Sequence, residues 1–197
     1  MNQINFKQTK MKKFILLAIS VFTLNMATAQ TQVGEVTLPN TLDFNSETLL
    51  LNGGGIRTKA MVLKLYSGGL YLPSKSKNAA EIINADQNQA IRLVITSSFV
   101  SSEAMSEAVE DGFEASTRGE TEVIATEIKA FTGFFSAEIV EGDTYDITYQ
   151  TGKGVVCYKN KKELGTISGM DFKKALFGIW LGKQPADSKL KSGMLGK

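Results

Sequence analysis

Two neighbouring stretches, LNGGGIR at residues 51–57 and LKLYSGGLYL at residues 63–72, carry the clearest structural signal in the chain. Between Ile56 and Tyr71 the chain is rich in Val, Leu, Ile and Tyr, which favours strands, and Gly68-Gly69 predicts a bulge or bend between two strand segments. The glycines at 53–55 do not form a phosphate-binding loop, because that motif needs a helix after it and a strand follows here. We therefore expect them to let the chain turn or to approach another backbone closely.

Around these stretches, strand and helix patterns occur in blocks. Short β-type runs, some with period-two alternation, predict strands at 35–38, 48–51, 90–96, 144–149, 155–158 and 164–167. Helical spacing predicts helices at 79–84, at 121–135, and from Ser101 or Ser102 to 113. Two more are predicted near the end of the chain: one is capped by Asp171, and the last begins at Pro185. This order predicts an α+β fold, an open-faced sandwich in which helices pack on one face of an antiparallel sheet.

The first 29 residues have the three parts of a secretory signal peptide. Four lysines precede an apolar run at 14–24, and Ala27-Thr28-Ala29 offers a cleavage site after Ala29. The run is about 11 residues long, whereas a bilayer span takes about 20, so no membrane anchor is expected to be retained. We therefore expect residues 1–29 to be a signal peptide, removed from a periplasmic or secreted protein with one domain at 30–197.

Charge and residue usage exclude several functional classes. Without residues 1–29, the 22 basic and 20 acidic residues become 18 and 20, and the net charge becomes 18 − 20 = −2. The remaining chain has no stripe of basic residues, so we do not expect it to bind nucleic acid. The chain has no histidine, which excludes His-dependent catalytic triads and His metal sites. The carboxylates follow no metal-loop pattern, and we expect neither a metal nor a cofactor. A single cysteine, Cys157, allows no disulfide within the chain and predicts a buried, unreactive thiol.

Arg57 is the residue whose chemistry points most directly to a site. It follows the glycines and is one of three arginines, with Arg92 and Arg118. If its side chain faces inward, it needs an anionic partner, because an unpaired buried charge is too costly. That partner is either a carboxylate of the fold or a carboxylate of a ligand, and the residues alone leave both open. Tyr66, on the next stretch, can add a hydroxyl donor.

With these residues, the two stretches resemble the opening of the chalcone isomerase fold. That family carries a Gly-x-Gly-x-Arg turn followed by a strand that ends in Gly-Leu/Val-Tyr-Leu. Helical segments at 105–113 and 172–182 also fall in the expected order, and the likeness covers about residues 33–195. The pattern is most similar to the bacterial, exported chalcone isomerase-like group.

The resemblance implies positions for the site residues. The family arginine, which holds an anionic oxygen in the enzymes, falls on Arg57. The strand threonine of the enzymes falls on Tyr66, where plant fatty-acid-binding members have a tyrosine that joins the arginine at the fatty-acid carboxylate. The catalytic tyrosine falls near Val100, the helix asparagine near Glu107, and the late Thr or Ser near Ile179. Three polar groups of the enzymes are therefore missing or replaced.

We therefore expect a non-catalytic binding protein for a fatty acid or a similar small apolar carboxylate. Arg57 and Tyr66 would hold the head group under an apolar roof, and Val100, Glu107 and Ile179 would be the other ligand-binding positions. Two alternatives stay open. One is an isomerase or lyase of unknown substrate that uses Glu107 as base. The other is a protein-interaction domain whose pocket an Arg57–Glu107 ion pair has closed.

Overall fold

The computed structural model describes residues 30–60 and 62–197, and the expected signal peptide lies outside the described residues. The strands are β1 (Gln30–Val33), β2 (Val36–Pro39), β3 (Thr41–Phe44), β4 (Glu47–Lys59), β5 (Leu63–Leu72), β6 (Gln89–Ile95), β7 (Thr144–Gln150), β8 (Gly154–Lys159) and β9 (Lys162–Ile167). The helices are α1 (Ala79–Asn84), α2 (Ser102–Thr117), α3 (Ala125–Gly133), α4 (Met170–Leu181) and α5 (Ser188–Met194), and a 3-10 turn at Glu122–Ile124 precedes α3. Within the described residues, no helix is both long enough and apolar enough to cross a bilayer.

Strands β3 to β9 form one seven-stranded antiparallel sheet in chain order. Each strand pairs with the next along the chain, and the last three form the expected meander. β7 lies in the interior of the sheet, and six of its seven residues are buried. This accounts for the strong β-type pattern of Tyr145, Ile147 and Tyr149, all of which belong to the core.

The two faces of the sheet are covered differently. The helices pack on one face, where the rings of Phe113 and Phe131 in α2 and α3 lie 5.5 and 5.8 Å from that of Phe172 in α4. The β1–β2 hairpin covers part of the other face and buries Val33 and Leu38 in a smaller cluster. The expected α+β fold, with helices on one face of an antiparallel sheet, is confirmed.

The glycines do not turn the chain, and the expectation of a turn was wrong. Gly53 to Gly55 lie inside β4 and Gly68-Gly69 lie inside β5, where the two strands pair directly. The turn falls instead between Lys59 and Leu63, where Ala60 adopts a φ of 50°. Residues 51–57 and 63–72 therefore form two long paired strands.

The second expectation for these glycines, close approach of another backbone, is confirmed. A β-carbon on Gly53 would overlap the carbonyl oxygen of Gly193, and one on Gly55 would lie 3.1 Å from the Cα of Leu190. Real β-carbons essentially never come as close to another atom as the first of these would, and few come as close as the second. Because both positions lack a side chain, α5 can lie directly on β4.

Three of the helices begin at other residues than the sequence predicts, and one of them is α3, which begins at Ala125 after a 3-10 turn and not at residue 121. Ser101 caps α2 as expected, since its Oγ accepts a hydrogen bond of 3.1 Å from Ala104 N. However, α4 begins at Met170, so Asp171 lies in the first turn and is not the cap. The last helix is capped by Asp187 and does not begin at Pro185, because the Asp187 carboxylate accepts the first free amides of α5.

Candidate functional site

A cavity of about 610 Å³ lies between the helix-covered face of the sheet and the helices α2 and α4. This volume falls within the usual range for small-molecule sites. Apolar side chains from both layers line it, among them Leu65, Leu93, Met105, Val109, Phe135 and Ile147. Charged and polar side chains also line it but are the minority, and the cavity is therefore suited to a mostly apolar ligand.

Arg57 and Tyr66 face each other across neighbouring strands and both line this cavity. They are direct partners in the β4–β5 register, and a bulge follows between Arg57 and Thr58. Alternation along β4 places Arg57 on the same face as Gly53 and Gly55, the face that carries the helices. The predicted pairing of an arginine and a tyrosine at one point of the sheet is thus observed.

The Arg57 guanidinium has a distant anionic partner within the fold. Its Nη1 donates a hydrogen bond of 2.6 Å to the carbonyl oxygen of Thr58 and lies 3.7 Å from Oδ2 of Asp187. The Arg57 side chain is 24% exposed, so it is reachable from the cavity. At 3.7 Å the ion pair lacks the short hydrogen bond of a strong Arg–carboxylate contact.

Asp187 is occupied mainly by hydrogen bonds from the backbone. Its Oδ2 accepts from the amide and the hydroxyl of Thr58 at 3.0 Å each, and its Oδ1 accepts from Lys189 N at 2.8 Å and Leu190 N at 3.0 Å. Burial alone would raise the pKa of this carboxyl, but the hydrogen bonds from Thr58, Leu190 and Lys189 hold it below its ordinary value. Asp187 therefore joins α5 to β4 and offsets only part of the Arg57 charge.

Tyr66 is buried, and the direction of its hydrogen bond is fixed by its partner. Trp180 Nε1 lies 3.0 Å from the Tyr66 hydroxyl oxygen. Because an indole nitrogen can only donate, the Tyr66 oxygen is the acceptor, and its own proton is left to be donated elsewhere. Burial raises the pKa of Tyr66, against the opposing effects of Trp180 and the Arg57 charge, so the hydroxyl keeps that proton at neutral pH.

Val100 and Ile179 line the same cavity from the helical side. Val100 lies just before α2 and is buried, and Ile179 lies in α4 and is buried as well. Ile179 packs against Gly112 of α2, where a β-carbon would lie 2.7 Å from its Cγ2. Both residues offer only apolar surface, so neither can replace a catalytic hydroxyl.

Glu107 also lines the cavity, but from the exposed side of α2 at the mouth. In residues 30–60 and 62–197, Arg57 pairs with Asp187, and no ion pair joins it to Glu107. The closed pocket that an Arg57–Glu107 pair would produce is therefore not observed. All five residues expected at the site border one open cavity.

Two polar residues of the site were missed by sequence reasoning. Trp180 lies in the helix that Asp171 was expected to cap, and no role at the site was predicted for it, although a buried indole N–H usually needs an acceptor. Asp187 was passed over in favour of Pro185 as the start of the last helix, although Asp is a preferred N-cap residue. The residue type of Asp187 indicates an N-cap from the sequence alone. The proximity of Asp187 to Arg57, however, depends on how α5 packs on β4.

Metal ligands and the thiol are the two remaining kinds of reactive group considered from the sequence. Across residues 30–60 and 62–197, no cluster of three or more Cys, Asp or Glu could hold a metal ion. Cys157 is fully buried in β8, and burial, with the nearby Asp146 charge, raises the pKa of its thiol to about 12. The expectation of a buried thiol is confirmed, and its raised pKa disfavours the reactive thiolate form.

Comparisons with known proteins agree with this architecture. Residues 30–196 match the family described as chalcone isomerase-like. A search of curated proteins gives no significant match. Among solved structures, the chain is similar to a fatty-acid binding protein of Arabidopsis thaliana, with a TM-score of 0.67 and 16% identity over 85% of this chain and 96% of that one. At this identity the likeness shows the fold. From the family match, the chain belongs to the chalcone isomerase-like family.

Proposed function

We propose that this protein binds a fatty acid or a similar apolar carboxylate and does not transform it. The observation that carries the proposal is the hydrogen bond from Trp180 to Tyr66, which leaves the Tyr66 proton free beside the Arg57 guanidinium. A carboxylate is the ligand group that accepts both a hydroxyl proton and a guanidinium N–H. The apolar walls of the cavity suit the rest of such a ligand.

The same cavity favours binding over catalysis. Where the enzymes of the resembling fold have polar groups, this chain presents the apolar Val100 and Ile179. Cyclisation and related reactions need donors placed where charge develops, and two apolar walls provide none. Glu107 lies on the exposed side of α2, where water competes for any proton transfer. The fatty-acid binding neighbour of the same fold adds support by analogy.

Native mass spectrometry of the purified protein tests this proposal. The protein is measured intact and then extracted with organic solvent, so that any ligand carried through purification is identified. We expect a bound acid with a long apolar part. We also expect Arg57→Gln to lose it, because the remaining partner, Tyr66, is uncharged.

Arg118→Gln is the matched control for this experiment. Arg118 is exposed at the end of α2 and does not line the cavity, so removing its charge should leave the bound acid in place. If neither the protein as purified nor the protein incubated with decanoate carries an acid, the proposed function is wrong. Equal loss from both arginine variants would also contradict it.

We also propose that the chain is exported and cleaved after Ala29. The support is the order of its first 29 residues, with lysines, then an apolar run, then small residues. Sequencing the N-terminus of the protein from its native cell, together with fractionation of that cell, tests the proposal. A mature chain beginning at Gln30 outside the cytoplasm is expected, and an intact N-terminus in the cytoplasm would refute export.

A further inference from the structure

Exposed apolar side chains gather at one end of the sheet. Among the described residues, the large hydrophobic side chains that are exposed are Leu50, Val62, Phe99, Val123 and Val140. Val62 lies in the β4–β5 turn, Phe99 follows β6, and Val140 precedes β7. Because the strands are antiparallel and paired in chain order, the β4–β5 turn and the β6–β7 connection, which carries both Phe99 and Val140, lie at the same end of the sheet. We call Val62, Phe99 and Val140 the apolar tips.

The cavity opens at this same end. Lys59, Leu63 and Phe99 all line it: Lys59 ends β4, Leu63 begins β5, and Phe99 follows β6. Phe99 is 70% exposed and Val62 is 83% exposed, so both project into solvent beside the mouth. An apolar ligand that enters or leaves here passes the apolar tips.

The two parts of the β6–β7 connection that carry Phe99 and Val140 are held together by hydrogen bonds. Ser98 N donates to the Glu141 carboxylate at 2.7 Å, and Gly142 N donates to the carbonyl oxygen of Ile95 at 2.9 Å. These bonds join the end of β6 and the residues just after it to the segment before β7. Phe99 and Val140 are thus exposed on a segment that hydrogen bonds hold in position. The exposed Phe99 ring does not pack in the core.

The charges at this end are mixed in sign. Exposed Lys59, Lys161 and Lys162 lie in or next to the turns, and exposed Glu138 and Glu141 lie near Val140. Lys64 is 3.8 Å from Glu35 and so is partly neutralised, and the mouth also has Glu107 and Asp111 on α2. Such a surface has no strong preference for an anionic or a cationic partner, but it matches a head group that carries both signs.

We propose that the apolar tips dock on a zwitterionic phospholipid bilayer and that the ligand passes between the bilayer and the cavity there. Isolated apolar side chains on two neighbouring connections suit insertion among fluid lipid head groups, whereas a typical stable protein interface takes about 800 Å² of surface on each side. The inference rests on the proposed function, because an apolar carboxylate is the kind of molecule that a bilayer stores.

Cosedimentation with vesicles of phosphatidylcholine and phosphatidylethanolamine in equal parts tests the docking. We expect the protein to bind, and Val62→Asn to weaken binding about tenfold because an apolar side chain no longer leaves water. Val123→Asn is the matched control, since Val123 is 82% exposed but lies in the 3-10 turn before α3, and its binding should not change. Binding should also survive high salt, which screens charge but not apolar insertion.

Separate outcomes distinguish failure of docking from failure of ligand binding. Val62 does not line the cavity, so Val62→Asn should still take up decanoate from free solution. Absence of vesicle binding, an equal loss in both valine variants, or abolition of binding by salt would overturn the docking alone. A dimer in solution that Val62→Asn dissociates would overturn it too, because a second copy would then cover the tips. Uptake of no decanoate by the unaltered protein would refute the proposed function.

Discussion

Tyr66 illustrates how a single neighbour can set the polarity of a site. Without Trp180, the Tyr66 hydroxyl could accept or donate, and it would say little about a ligand. The indole N–H occupies the oxygen from one side at 3.0 Å and leaves a proton for an acceptor. Together with Arg57, this gives the cavity two donors and a net preference for an anionic oxygen.

Replacing Tyr66 by Phe should therefore weaken binding of decanoate about tenfold, the effect of losing one hydrogen bond to a charged group. Isothermal titration measures the change. Tyr71→Phe serves as control, because the Tyr71 hydroxyl donates to the carbonyl oxygen of Pro39 on the opposite face and does not touch the cavity. If Tyr71→Phe weakens binding as much as Tyr66→Phe, the hydroxyl has no specific role.

The lowered pKa of Asp187 predicts that the stability of the protein depends on pH. Its pKa is below the ordinary value in the folded protein, so its contribution is present above about pH 4 and is lost as the pH falls through the folded pKa. Asp187→Ala should cost about 2 kcal/mol at neutral pH, since it removes the cap of α5. Urea denaturation of both proteins should show this difference shrinking below pH 4. A difference that stays constant into acid would contradict the assignment.

At the scale of elements, the contact between α5 and β4 determines where the site can form. Gly53 and Gly55 let the helix lie on the strand, and Asp187 at the start of that helix then reaches Thr58 and the vicinity of Arg57. The arginine is therefore positioned from two sides, by its strand and by a helix whose cap, Asp187, follows 130 residues later in the chain (187 − 57 = 130). Loss of the close contact should disturb both stability and the head-group site.

Gly53→Ala tests this contact. Its β-carbon would overlap the carbonyl oxygen of Gly193, so we expect a loss of about 2 kcal/mol or more in the free energy of unfolding. Gly133→Ala is the control, because a β-carbon there meets nothing within 4 Å. Helix propensity should make that variant neutral or slightly more stable. Equal effects of the two substitutions would show that α5 does not press on β4.

A second link between elements depends on Lys173 of α4. This lysine is fully buried, and its ammonium donates to the carbonyl oxygens of Ile82, Ile83 and Ala85 at the end of α1, at 3.0, 2.8 and 2.8 Å. Burial lowers its pKa to about 8. The ammonium thus caps the C-terminal end of α1 and links it to α4.

Lys173→Met should destabilise the protein by about 3 kcal/mol, because three buried carbonyl groups lose their donor. The neighbouring Lys174 is half-buried, and Lys174→Met should stay within about 0.5 kcal/mol of the original protein. Thermal and urea unfolding measure both. A small effect at Lys173 would mean that water replaces the ammonium at the end of α1.

The elements themselves were largely predictable, and their exceptions have a common physical cause. The alternation at Tyr145 to Tyr149 and the cap at Ser101 are local signals, and both predictions are confirmed. The glycines at 53–55 were ambiguous because a turn and a close contact both require glycine. Only the position of α5, far away in sequence, decides between them.

For the whole molecule, the five predicted site residues do meet at one cavity, although they are spread from β4 to α4. Their meeting was inferred from a resemblance, since spacing alone cannot say which residues a curled sheet and two helices bring together. The ion partner of Arg57 and the donor to Tyr66 were not inferred. Both come from the last quarter of the chain, whose packing against β4 and β5 follows from tertiary structure.

The most direct test of the account compares decanoate with 1-decanol, which has the same chain but no carboxylate. Calorimetry should show that the protein binds the acid at least about tenfold more tightly than the alcohol, and that Arg57→Gln removes this preference while the affinity for the alcohol hardly changes. Equal affinities for the two ligands in the unaltered protein, or an acid preference that survives Arg57→Gln, would contradict a carboxylate site at Arg57 and Tyr66.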